Sequence, residues 1–395
     1  MKQYTCNYEG VEVMKNNRIW LSMLSLLLVV GALAGCNNES STGAEASAED
    51  TLSIGAIFPL TGTGATYGAM YKQGVDLAVE EINNNGGVDG KKLVVEYEDG
   101  RAEPKSSVQA AQTLIAKQDL PLILSAYTGV TLAILPIAER NNRTVINGGG
   151  QGDELADASP YLFNTIPLLG LEVEVLTRYL HEEMPDLKKA YIIFVDDDSG
   201  RSGLKKFTEE FTGRGGKVVG SGSHKPGETN FRAIITKAKS TNPDLIYIAS
   251  HGQDAKQTID QIQQLGVDAQ IVNTSWTIIP EIIANPNAQG VIHTSLAFNP
   301  DEEWLSVFKE KYGTNQVSSY ISNYYDAVKI FAKAYEYAVE KGYGTDGEAI
   351  AKAIVEIKEF DSANGTIVIN DDGTSERQID ISIIEDNESK LIKSY

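Results

Sequence analysis

Residues 52–60 read LSIGAIFPL. Leu52 to Phe58 form a short run rich in strand formers, and Pro59, which has no N–H to give to a ladder, stops it. Further on, Val75, Ala78, Val79 and Ile82 fall at helical spacing, and Asn85-Gly86-Gly87 closes that segment. A strand followed by an amphipathic helix is the first half of a β-α-β unit. The fold follows from whether that unit repeats.

It repeats twice over. Leu93–Tyr97 is a second strand, and Pro104 opens a helix through Val108, Ala111, Leu114 and Ile115. Leu122–Leu124, Leu132–Arg140 and Thr144–Ile146 continue as strand, helix and strand. The alternation restarts at Ala190–Val195, with a helix through Leu204, Phe207 and Phe211 that ends at Gly213. Lys217–Val219, a helix through Ile234 and Ile235, Leu245–Ile248, a helix through Ile259 and Ile262, and Ile271-Val272 follow. Such alternation predicts an α/β protein whose parallel sheets are flanked by helices. About 345 residues of it exceed what one core usually serves, so two Rossmann-like lobes are expected. Helices are expected over Ser319–Lys341 and Glu348–Lys358, and Gly365–Ile369 and Gln378–Ile384 read as a hairpin about Asp371-Asp372-Gly373.

The front end reads as an export signal. Lys15 and Arg18 precede an apolar run from Ile19 to Leu33, which ends in Leu33-Ala34-Gly35-Cys36 and looks like a lipobox. Residues 1–36 are expected to be a signal peptide, with Met14 an alternative start, and Cys36 the lipid acceptor. Residues 37–50 are small, polar and acidic, and read as a flexible tether. The expectation is an exported protein, lipid-anchored at the extracytoplasmic face of a bacterial membrane, in a periplasm or on a cell surface. Only two cysteines occur, Cys6 and Cys36, so a disulfide framework, a zinc-thiolate site and a cysteine nucleophile are excluded from the body of the chain. A formal net charge of −20 argues against nucleic acid as a partner.

After the Thr144–Ile146 strand comes Asn147-Gly148-Gly149-Gly150-Gln151-Gly152. A dinucleotide loop would need glycine at the position of Asp153, and the lysines after Gly90 and Gly216 are not followed by serine or threonine. Phosphate binding is therefore a poor fit, leaving a tight turn or a cradle for a small polar ligand. The four histidines form no metal-spaced pair, and no H-E-x-x-H or G-x-S-x-G occurs. Asp196-Asp197-Asp198 suits the start of a helix better than a metal. No cofactor, no metal and no catalytic residue is expected.

From Leu52 to the C-terminus the chain resembles bacterial ABC-transporter solute-binding proteins of the leucine/isoleucine/valine-binding kind, with the type I periplasmic binding protein fold. Ile54 through Gly62 and Ala65-Thr66-Tyr67-Gly68 carry the resemblance most specifically. Gly74, Ala78, Ile82, Asn83, Gly86-Gly87, Gly90 and Lys92-Leu93 keep the family's order and spacing. The resemblance implies two lobes joined by three crossover strands around a ligand cleft. It places residues 51–165 and 296–377 in one lobe, 166–295 and 378–395 in the other, and crossovers near 164–167, 292–296 and 378–380. It also implies a monomer that closes by hinge motion on a small amino-acid-like ligand of the branched-chain amino acid kind and delivers it to permease subunits served by a cytoplasmic ATPase.

By the same resemblance, the loops Tyr127-Thr128-Gly129 and Gly149-Gly150-Gln151 would hold a ligand's carboxylate and ammonium, with Tyr67 as an aromatic wall. Departures from the family's pattern fall in the second half. Ser199 stands where an aromatic is common, His251 near the position of a tyrosine, and Ser275-Trp276 where an acid would meet the ammonium. Tyr320 is a further candidate wall. The ammonium partner is then either displaced to Asp196, Asp198 or Asp254, or the ligand is an aromatic carboxylate or amide with no ammonium. A ligand sensor that does not transport would use the same cleft.

Overall fold

The computed structural model describes residues 51–117, 119–296, 300, 302–314, 317–363 and 365–395. The expected signal peptide, Cys36 and the tether lie outside the described residues. In chain order the first elements are β1 (Thr51–Phe58), α1 (Ala65–Asn84), β2 (Lys92–Asp99), α2 (Pro104–Lys117), β3 (Leu122–Ser125), α3 (Thr128–Arg140), β4 (Thr144–Asn147) and β5 (Leu162–Asn164). Next come α4 (Leu169–Glu183), β6 (Lys189–Val195), α5 (Asp198–Gly213), β7 (Lys217–His224), α6 (Arg232–Ser240), β8 (Leu245–Ala249), α7 (Gly252–Gln264), β9 (Gln270–Asn273), α8 (Pro280–Ile283) and β10 (Ile292–Leu296). The remainder is α9 (Glu302–Tyr312), α10 (Ser319–Lys341), α11 (Gly347–Ile357), β11 (Glu359–Ser362), β12 (Gly365–Ile369), β13 (Ser375–Glu376), β14 (Ile379–Glu385) and β15 (Glu388–Ser394).

Five parallel strands form the first sheet in the order β2-β1-β3-β4-β5, with Ile54 opposite Val95 and Leu124 opposite Ile146. The second sheet runs β15-β14-β10-β9-β8-β6-β7; its strands from β10 to β7 are parallel and the β14–β15 hairpin closes it antiparallel. Both sheets have helices packed on them, and their central strands are buried throughout, as parallel sheets covered on two faces require. The α/β expectation therefore holds.

The chain leaves the first sheet after β5, returns between β10 and α10, and crosses again between β13 and β14. On its return α10 packs along α1 at a glycine: a Cβ on Gly74 would lie 2.0 Å from the Ile321 carbonyl oxygen. Ser318 caps the start of α10 through the Tyr320 N–H, and Gly342, at φ 71°, ends it.

The C-terminal expectation needs correcting. Gly365–Ile369 does not pair with Gln378–Ile384. It forms a small separate sheet, β11-β12-β13, in which Val368 faces Glu376 and Ile369 faces Ser375. The Asp371–Gly373 turn is a real hairpin turn, but its ladder stops after those two pairs. Arg377 then turns inward to an ion pair with buried Asp326, and the chain runs on as β14 against β10.

Candidate ligand cavity between the two sheets

Loops at the carboxyl ends of the parallel strands converge on one cavity, where ligands of open α/β sheets sit. From the first sheet come Tyr127, after β3, and Gly149 and Gln151, after β4. Tyr67 and Tyr71 project from α1 one turn apart, and Tyr320 from α10. From the second come Ser199 at the start of α5, His251 before α7, Trp276 after β9, and Leu169 at the start of α4. The cavity is small, about 20 Å³, enough for one or two waters.

The walls are aromatic and the polar atoms are mostly donors. Tyr67 and Tyr320 meet edge to face at 5.6 Å, as do Tyr71 and Tyr320, while His251 lies 5.5 Å from both Tyr127 and Trp276. Burial pushes the phenols of Tyr67, Tyr71, Tyr127 and Tyr320 well above their usual range, so each keeps its O–H as a donor. The Trp276 indole N–H is buried without a partner. Among the described residues, no Asp, Glu, Lys or Arg lines the cavity.

The Tyr67 hydroxyl links the two sides of the cavity, and a second pair ties two loops of the second sheet together. The Tyr67 hydroxyl donates to the Trp276 carbonyl at 2.8 Å and accepts from the Gly252 N–H at 2.8 Å. His251 Nε2 lies 2.7 Å from Asp197 Oδ2, and Asp197 in turn caps α5 through the Gly200 N–H. Burial alone would raise the Asp197 carboxyl, but the hydrogen bond and charge of His251, with the Gly200 N–H, outweigh it and hold it below the usual carboxylate range.

Eight of the twelve candidate ligand residues line the cavity: Tyr67, Tyr127, Gly149, Gln151, Ser199, His251, Trp276 and Tyr320. Thr128, Gly129, Gly150 and Ser275 stand one layer behind. The Thr128 hydroxyl accepts from the Gly152 N–H at 2.8 Å, with Ser199 Oγ 3.4 Å away, so it holds the glycine loop in place. The glycine run is a matter of close approach. A Cβ on Gly149 would lie 2.9 Å from the Tyr71 ring, and one on Gly150 would lie 2.8 Å from the Thr128 nitrogen. Asn147 organises the turn, accepting from the Gly149 and Gly150 N–H groups and donating to the Gly150 carbonyl.

The displaced acids do not reach the cavity. Asp196 and Asp198 are exposed and both bind Arg201. Asp198 Oδ2 does lie 2.8 Å from where a Gly129 Cβ would stand, beside the start of α3. Asp254 is buried, accepts from the Gly227 N–H at 3.0 Å, and has its carboxyl raised by that burial.

A second carboxylate in contact with the lining, besides Asp197, is one the sequence reading did not single out, Glu172 in the first turn of α4, fully buried. It receives the Gln151 amide, the Ser275 N–H at 2.9 Å, the Ser275 hydroxyl at 2.7 Å and the Thr294 hydroxyl. An acid between Leu171 and Val173, in a stretch that alternates with Glu174 and Val175, was the available signal. Tyr71, four residues after Tyr67 on the same helix, was legible by spacing alone. Among the described residues, no group of three His, Cys, Asp or Glu side chains is arranged to hold a metal, and no helix is long and apolar enough to cross a membrane.

Two sheets, strand-end loops meeting at one aromatic cavity, and crossovers between them define a two-layer binding protein. The chain belongs to the periplasmic binding protein family, which matches residues 51–388. It is 28% identical to the Leu/Ile/Val-binding protein homolog 3 of Brucella melitensis, over 85% of this chain and 91% of that one. Its fold is that of a leucine-binding protein LivK from Thermotoga maritima, with a TM-score of 0.80 at 23% identity over 87% of this chain and 98% of that one. A solute-binding protein of an ABC transporter from Rhodopseudomonas palustris, in complex with 3,4-dihydroxybenzoic acid, matches with a TM-score of 0.79 at 21% identity over 88% and 97% of the two chains. Family and fold are those of solute-binding proteins rather than enzymes.

Proposed function

We propose that this is the extracytoplasmic solute-binding component of an ABC importer, and that its cavity captures a small carboxylate with a flat or aromatic body. One observation carries the ligand class: the lining combines five aromatic side chains and His251 with O–H and N–H donors, and no carboxylate. Buried phenols and an indole N–H suit an anion and a ring; a buried ammonium left without a partner would be costly. The start of α3 adds a positive dipole end with no acidic residue in its own first turn, where Asp198 now reaches across from α5. A ligand carboxylate would take over that place. The Rhodopseudomonas palustris relative, found with 3,4-dihydroxybenzoic acid, is consistent with such a cleft.

A leucine-like amino acid is the second reading. It is favoured by Gln151, whose amide oxygen faces the cavity with Glu172 behind it, and by the Brucella melitensis relative's name.

The cavity is too small for either ligand without movement, so binding requires the two layers to part and close again. The moving units in this proposal are residues 51–165 with 296–377, and 166–295 with 378–395, turning about the connections at 164–167, 292–296 and 378–380. The closed form of a monomer would then dock on the permease, with lipid on Cys36 holding the protein at the membrane.

The test is thermal unfolding of protein stripped of ligand by unfolding and refolding, in the presence of benzoate, 4-hydroxybenzoate, 3,4-dihydroxybenzoate, leucine or isoleucine. A ligand at a hundredfold over its Kd adds about 2.7 kcal/mol, a shift of a few degrees. Shifts with the benzoates alone support the aromatic reading. Shifts with leucine or isoleucine alone replace it by the second.

A further inference from the structure

Glu172 touches no solvent and does not line the cavity, yet it has spent its two oxygens on groups from three separate segments. Glu172 and the Gln151 amide it holds each face a main-chain group whose polarity is fixed. The Ser275 N–H, which can only donate, lies 2.9 Å from Oε2. The Pro167 carbonyl, which can only accept, lies 3.1 Å from the terminal nitrogen of Gln151. That nitrogen also donates to Glu172 Oε1. An amide flipped the other way would set its oxygen against both a carbonyl and a carboxylate. Only one orientation is therefore compatible with these neighbours. It leaves Gln151 Oε1 on the cavity side, held by a single long contact from the Tyr320 hydroxyl at 3.4 Å.

We propose that Glu172 is a positioning residue that sets the hydrogen-bonding polarity of the cavity, locking the Gln151 amide so that its oxygen meets the ligand as an acceptor. Among the described residues, the other polar side chains of the lining are hydroxyls and rings that can donate, which makes Gln151 Oε1 the side-chain atom there that can only accept and the group that selects a ligand carrying a donor opposite its carboxylate, such as a phenolic hydroxyl. Gln151 would make the contact; Glu172 would act through it.

Glu172→Gln at unchanged volume tests this, because the fixed N–H of Ser275 keeps the new amide's oxygen at the Oε2 position. The new NH₂ then faces the Gln151 NH₂, while a turned-over amide would set its oxygen against the Pro167 carbonyl, so neither orientation is satisfied and the lock on the Gln151 oxygen is lost. Two measurements on the full-length protein follow. In the first, the side-chain NH₂ of Gln151, assigned by its disappearance in Gln151→Met, exchanges slowly with solvent in the parent and roughly tenfold or more faster in Glu172→Gln. Fast exchange in the parent, or equal exchange in the two, overturns the proposal. In the second, which rests on the ligand class proposed above, the preference for 4-hydroxybenzoate over benzoate falls roughly five- to tenfold in Glu172→Gln, the scale of one hydrogen bond. Gln151→Met carries the same expectation should Glu172→Gln not fold. An equal loss for both ligands would mark Glu172 as merely structural. If the parent binds neither benzoate, the ligand reading fails on its own, and the exchange measurement still decides the positioning role.

Discussion

Tyr67 and Trp276 stand on opposite sides of the cavity and are joined by one hydrogen bond of 2.8 Å, from the phenol of one to the main-chain carbonyl of the other. The same hydroxyl accepts the Gly252 N–H, so a single oxygen on α1 binds two loops of the second sheet, after β8 and after β9. A donor and an acceptor on one atom suit this bridge, since the carbonyl can only accept and the N–H can only donate. The position that the sequence marks as an aromatic wall is thus also a clasp.

Tyr67→Phe keeps the ring and removes the clasp. With the layers closed, a buried N–H at Gly252 would be left unpaired, at a cost of about 1–3 kcal/mol. Opening the layers relieves that cost by letting water reach the N–H. The variant is expected to show a larger radius of gyration in solution scattering and about tenfold weaker ligand binding, with near-normal helix content. Identical scattering and affinity would show that the contact contributes nothing to closure.

Thr128→Val separates holding the loop from holding the ligand. The Thr128 hydroxyl is occupied by the Gly152 N–H, and the residue is fully buried. Loss of the hydroxyl strands that N–H and should lower unfolding stability by about 1–3 kcal/mol in urea titrations. Affinity then falls as the glycine loop loosens. A variant of unchanged stability and much weaker binding would instead return the hydroxyl to direct ligand contact, as the loop's position first suggests.

Much of the fold was legible because the chain advertises it with two periods. Val75, Ala78, Val79 and Ile82 can be read without knowing what they pack on, and so can the buried run at β8. The positions of the cavity loops followed, since strand ends in such sheets are where loops meet. What failed was whatever depends on a distant partner. β12 finds β11 and only two residues of β13 because Arg377 is drawn to Asp326, a residue 51 positions earlier. Glu172 escaped notice for the same reason. Its partners, Gln151, Ser275 and Thr294, come from three segments, and no local pattern joins them.

The Asp326–Arg377 pair provides a test where two connections lie side by side. Arg377 Nη2 meets Asp326 at 2.5 Å, and its Nε donates to the Thr165 carbonyl at 3.1 Å in the first connection. Burial raises the Asp326 carboxyl despite the guanidinium beside it. Arg377→Met leaves that acid buried with no cation and should cost about 3–5 kcal/mol at neutral pH. Adding Asp326→Asn removes the stranded charge and should recover most of the loss. If the double variant is no more stable than Arg377→Met, the cost lies in the Thr165 contact rather than in the charge.

His293, on β10, should give the stability curve its slope in mild acid. Its Nδ1–H donates to the Thr294 carbonyl at 2.8 Å, and the Ser389 hydroxyl, 3.0 Å from Nε2, donates to it, a pattern that suits the neutral ring. Burial pushes the imidazole down to about 4. The unfolded chain binds that proton near pH 6.5, so the native state is at full strength above 6.5 and loses stability as pH falls toward 4. Asp197, held below the usual carboxylate range, contributes in a lower window; its share is present above the ordinary Asp value and is lost as pH drops through the depressed one. Between pH 7 and 4.5 the histidine alone therefore removes about 2–3 kcal/mol. His293→Gln, which keeps polar atoms but does not titrate, should be less stable than the parent at pH 7 and lose much less on acidification. Parallel urea midpoints for the two proteins across that range would mean that the proton is taken up elsewhere.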